Sequence, residues 1–168
     1  MTSRAASLVL ALTIVTVAVS CHQPFFRARP VPQPPPFVPP QSPNDIVEIV
    51  IAHTPCFGTC PVYRFVLRRS GPSVYEGGRF AAIQGRYEAV ADSASMQTLA
   101  QLLLRRRFFE MDSILDLVID APSIEITAVL NDSRQRTVTA YRGSADFNEI
   151  AAAIDSIGAR LPWRSVAR

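Results

Sequence analysis

An α+β fold is what this sequence predicts: one small domain with a largely antiparallel sheet and two packed helices. Three observations predict it. Four short strand-like segments precede one helical stripe and two more precede a second, giving the order ββββαββα. Turn-forming residues lie between several neighbouring strand segments, as antiparallel hairpins require. Finally, residues 45–168 number 124, enough for one compact core and too few for two. No internal repeat is visible.

The elements follow in chain order. Ile46-Val47-Glu48-Ile49-Val50-Ile51 alternates as a strand, with Val47, Ile49 and Ile51 expected on one face. After the loop CFGTC (Cys56 to Cys60), residues Val62 to Arg68 place Tyr63, Phe65 and Leu67 inward and Arg64 and Arg68 outward. Ser70-Gly71-Pro72-Ser73 turns the chain into Val74-Tyr75-Glu76, which Gly77-Gly78 interrupts. Gln84 to Val90 supplies a fourth strand, with Gly85 a bulge or bend. Asp92 or Ser93 caps a helix to about Arg107, striped by Met96, Leu99, Ala100 and Leu103. Arg105-Arg106-Arg107 falls in its last turn, where the helix dipole favours cations, and reads as a solvated end. Phe108 and Phe109 plug the core at the helix exit.

The second hairpin pairs Ile124, Ile126, Ala128 and Leu130 with Thr137 to Tyr141 across Asn131-Asp132-Ser133. Ser144 caps the final helix, whose stripe is Phe147, Ile150, Ala151, Ile154, Ile157 and Leu161. Pro162 ends it, and Trp163 packs back over it.

The ends give an address. Arg4 is followed by an unbroken apolar or small run, Ala5 to Val19, about the length of a signal-peptide core and short for a spanning helix of roughly 20 residues. Residues 1–20 are thus expected to be a signal peptide. Ala18-Val19-Ser20-Cys21 resembles the lipobox of bacterial lipoproteins, which implies lipidation of Cys21 as the mature first residue. An ordinary signal peptide cut at the same bond is the alternative. His22, rather than Asp, after that cysteine implies the outer membrane by resemblance to lipoprotein sorting. Residues 21–44 form the anchor and linker. Nine of the 23 residues from His22 to Asn44 are Pro, which favours extended polyproline II and a reach of roughly 70 Å. Residues 45–168 are the folded domain.

Charge excludes several functions. The net +3 resolves into Arg4, Arg27 and Arg29 plus a domain whose 14 Arg equal its 14 acidic residues. A near-neutral domain lacks the basic excess of a nucleic-acid binder. Arg27 and Arg29 lie where anionic lipid head groups would meet them. The chain has no Lys, which removes Schiff-base and P-loop chemistry.

The loop Cys56-Phe57-Gly58-Thr59-Cys60-Pro61-Val62-Tyr63 carries the remaining chemistry. With Cys21 committed to lipid, Cys56 and Cys60 are an even pair, and export makes a disulfide the leading reading. Pro55 and Pro61 bias Thr54 and Cys60 to extended backbone, and Gly58 permits a positive φ between them. C-x-x-x-C-P also resembles the loop of Sco-type copper chaperones, so Cys56 and Cys60 with His53 form an alternative Cu(I) set. A thiol-redox pair is a third reading, although such pairs ordinarily begin a helix. Hydrolase chemistry has little support: no G-x-S-x-G elbow exists, and Asp112, Asp116 and Asp120 read as caps and solvated charges.

C-x-G-x-C-P-x-Y, then Gly85-Arg86-Tyr87, then Asp120-Ala121-Pro122, resembles a family of bacterial lipoprotein domains of unknown function, over roughly Asp45 to Trp163. That resemblance implies an envelope-located α+β domain and supplies no catalytic residues or cofactor. The sequence therefore points to a non-catalytic binding or scaffolding domain, with the membrane and an envelope protein as partners and no nucleic acid.

Overall fold

The computed structural model describes residues 37–114 and 121–166. The leader, Cys21, His22, Arg27, Arg29, Asp116 and Asp120 lie outside the described residues. The chain forms β1 (Ile46–His53), β2 (Tyr63–Arg68), β3 (Ser73–Gly77), β4 (Gly85–Ala89), α1 (Ser93–Arg105), β5 (Ile124–Leu130), β6 (Gln135–Ala140), α2 (Ala145–Arg160) and β7 (Arg164–Ser165). The α+β class and the order of elements are as the sequence predicts. Among the described residues the strands make one sheet in the order β6-β5-β1-β2-β3-β4-β7, with antiparallel neighbours throughout.

The sheet has two unlike faces because its strands alternate. One face is the core: Ile49 and Ile51 of β1, Phe65 and Leu67 of β2, and Ile126, Ala128 and Leu130 of β5 are all buried. Met96, Leu99 and Leu103 of α1 and Phe147, Ile150 and Ile154 of α2 join the same cluster, so both apolar stripes are consumed by the sheet. The other face carries Val50, Val66 and Val74 as a small buried row, flanked by cross-strand charge pairs. Arg68 Nε donates to Glu48 at 2.8 Å, and Arg86 bonds Glu76 at 2.5 Å.

Two strand details depart from simple alternation. A register shift between Ile46 and Glu48 in the β1–β5 ladder puts Ile46, not Val47, in the core with Ile49 and Ile51. A bulge of this kind inserts one residue and reverses the facing of what precedes it. The short β7, which pairs Tyr87 and Glu88 with Ser165 and Arg164, has no signal in the sequence because two residues carry no periodicity.

Caps and ends behave as expected. Asp92 caps α1, its Oδ1 accepting from Ser95 N at 2.7 Å. Ser144 caps α2 through Phe147 N. Phe108 and Phe109 are buried in a 3-10 turn after α1, with Arg107 at φ 51° making the change of direction. Residues 37–45 lie against the domain at the start of β1. Phe37 stacks on Phe109 at 5.9 Å, and Arg69 and Arg134 donate to the carbonyls of Pro43 and Val38.

Candidate functional site

The far end of β1 opens into the CFGTC loop. Its entry is clamped to the segment before β5: Thr54 N donates to the Ser123 carbonyl at 3.0 Å, and Ser123 N donates to Thr54 Oγ1 at 2.8 Å. Its exit is clamped to the loop after β3, where Val62 N donates to Arg79 O and Gly78 N donates back to Val62 O. Between the clamps, Cys56 and Cys60 are joined by a disulfide with Cα atoms 5.7 Å apart. Gly58 lies over the Cys56 sulfur with an ordinary negative φ, so the left-handed freedom the sequence offers there is not used. Phe57 stands out from this braced loop and is 92% exposed. The chain leaves Cys60 into strand β2 rather than into a helix.

Just inside the loop, three polar side chains from three elements converge. Asp155 on α2 accepts from Tyr63 OH at 2.9 Å through Oδ1, and its Oδ2 lies 3.1 Å from His53 Nε2. Tyr63 faces His53 across the β1–β2 ladder, and the two rings stack 4.3 Å apart. Burial, reinforced by the adjacent Asp155 carboxylate, holds the Tyr63 phenol protonated far above its ordinary range. Burial first, and then Asp155, also raise Tyr75. Tyr63 is therefore a hydrogen-bond donor at neutral pH, not a base or a nucleophile.

Beside this knot is a pocket of about 450 Å³ lined chiefly by Tyr63, Phe65, Tyr75, Ile83, Asp155 and Trp163. The sheet supplies its floor through the register that sets Phe65 opposite Tyr75. Trp163 closes one side: its Nε1 donates to the Gly158 carbonyl at 2.8 Å, and its ring meets Phe65 edge-on at 5.5 Å. The 78–84 loop closes another, and it crosses so near β3 that a Cβ on Gly77 would sit 1.9 Å from the Ile83 carbonyl oxygen. A smaller cavity of about 240 Å³, bordered by His53, Cys60 and Tyr141, lies against the disulfide.

The residues singled out in the sequence are distributed as follows. Cys56, Cys60 and His53 are at one end of the sheet, with both sulfurs in the bridge and His53 engaged by Asp155. Among the described residues, no three His, Cys, Asp or Glu side chains gather as a metal site. Arg106 ties α1 to α2 through Asp146 at 3.2 Å and Glu149 at 2.6 Å, and Arg107 pairs with Glu110. Asp112 is fully exposed, and Arg64 is exposed on the sheet's other face. Asp155, Tyr75 and Trp163 are site residues that sequence reasoning misses as such. One signal existed: Asp155 interrupts the apolar flank of the α2 stripe between Ile154 and Ile157.

Among the described residues no helix is long and apolar enough to cross a membrane. A search of curated proteins finds no match to the chain. Residues 47–158 match the family described as domain of unknown function DUF6438, a span running from the start of β1 to the last turn of α2 and enclosing the disulfide loop and the Asp155 knot. The chain belongs to the DUF6438 family.

Proposed function

We propose that this protein is a cell-envelope lipoprotein, anchored through lipid on Cys21, whose DUF6438 domain binds a partner without catalysis. The observation that carries the reading is Phe57, 92% exposed on a loop closed by a disulfide and clamped at both ends. A large apolar side chain costs free energy in water, and a loop already held in place loses little entropy on association. The point at which residues 37–45 enter the domain supports this role. Residues 37–45 join at the start of β1, whereas the loop follows its last residue, His53. Eight strand residues separate the two by about 26 Å, so the loop lies at the opposite end of β1 from residues 37–45. A disulfide in turn suits an exported chain. The outer membrane, facing periplasm or surface, is the expected address.

A photo-reactive residue placed at Phe57 in cells tests the reading, with Val90, 76% exposed elsewhere, as control. The expected result is a discrete adduct from position 57 that is absent from position 90 and lost when both cysteines become serine. Equal labelling from both positions, or none from 57, contradicts it. The copper alternative has its own test: anaerobic Cu(I) titration of the reduced domain, in which we expect no tight stoichiometric uptake.

A further inference from the structure

We propose that the aromatic pocket beside Asp155 is a binding site for an organic cation, an ammonium or guanidinium group carried on an apolar stem. The inference rests on the reading of the domain as a binding module and assigns its pocket a ligand chemistry. Four features converge. The walls are aromatic and apolar (Tyr63, Phe65, Tyr75, Trp163 and Ile83), and aromatic faces attract cations through their quadrupoles. Asp155 is the only charged side chain in the lining among the described residues, and it is negative. It is 30% exposed, so its carboxylate is held by Tyr63 and His53 without being sealed from the pocket. Each of its oxygens takes one of these contacts, which leaves acceptor capacity for a further donor. Lastly, Gly158 and Ala159 line the pocket from the closing turn of α2, where the negative end of the helix dipole favours a cation.

An anion fits badly by the same reasoning: it would meet Asp155 and the helix end with no Arg in the lining to offset them. The pocket volume of about 450 Å³ accommodates one ring-sized body and its charged group. Such a cation arrives either as a free amine or as a basic side chain of a protein partner.

Trp163, the chain's single Trp, lies in the wall and serves as the reporter. Its fluorescence is to be titrated with phenethylammonium chloride as the free amine, acetyl-arginine amide as the partner side chain, and 3-phenylpropionate as the anionic counterpart. The expected result is a saturable change with at least one cation and an affinity about tenfold weaker for the anion. Whichever cation binds more tightly names the source. Asp155→Asn, which keeps the shape and an acceptor oxygen, is expected to weaken cation binding by about tenfold. Val90→Ala lies outside the pocket and is expected to leave cation binding unchanged. An equal response to cation and anion, or no saturable response in the unaltered protein, overturns the proposal without need of a variant. Because the crosslinking test reads Phe57 and this one reads Trp163, failure of the pocket leaves the loop reading standing, and the reverse.

Discussion

At the scale of single residues, Asp155 is the hinge of the site. Asp155→Ala removes the partner of Tyr63 OH and of His53 Nε2, both partly shielded. A loss of about 1–2 kcal/mol in chemical unfolding is expected. Tyr63 links the site to alkaline pH with a definite sign. Its phenol is raised in the fold from an ordinary value of 10.0, so above that pH the unfolded chain gives up a proton the folded chain keeps. Its contribution is complete below about pH 10 and declines as pH rises beyond it. Spectroscopic titration at 295 nm is expected to show one tyrosine ionising only with alkaline unfolding, a component that Tyr63→Phe removes. Two glycines separate similarly simple substitutions. Gly77→Ala meets backbone at 1.9 Å and is expected to cost about 2 kcal/mol. Gly58→Ala meets only the Cys56 sulfur at 3.7 Å without a positive φ, and a change within about 0.5 kcal/mol is expected. Little of the knot was legible in the sequence. His53 reads there as a third member of the alternative Cu(I) set, and its partner is 102 residues away, a distance no local pattern spans.

At the scale of elements, legibility was much higher, because strands and helices declare themselves by period. The stripes of α1 and α2 predicted from spacing are buried, as Met96, Leu99, Phe147 and Ile150 illustrate, except Leu161, which caps the end of α2 and is only half-buried. The exception at Val47 has a local cause, since the bulge adds one residue and the alternation read from Ile49 backward misassigns what precedes it. Leu99→Ala, 1% exposed between sheet and helix, is expected to destabilise the domain by about 3 kcal/mol. The disulfide loop is an element of another kind. Its two cysteines are four residues apart; the clamps at Thr54 and Val62 hold the loop's two ends to the domain without the bridge, which sets only the conformation between them. Serine at both positions is therefore expected to cost about 2 kcal/mol or less while circular dichroism remains that of a folded domain. A wholly unfolded double variant would contradict the local role of the bridge.

At the scale of the whole molecule, the domain is a near-neutral, one-sided sandwich of sheet and helices with the disulfide loop, the Asp155 knot and the aromatic pocket at one end. Residues 37–45 enter at the other, at the start of β1. Composition made part of this visible beforehand: balanced Arg and acid, no Lys, and a Pro-dense approach. The pocket was not visible, because it forms only when β2, β3, α2 and the Trp163 tail meet. What unites loop, pocket and tether is the proposal that the chain is exported and held by its first mature residue. Intact-mass spectrometry of the protein purified from its native envelope tests that claim most directly. The predicted result is a chain beginning at Cys21, heavier by its acyl groups and lighter by the two hydrogens lost in joining Cys56 to Cys60. A full-length chain that keeps its leader and three free thiols would contradict it.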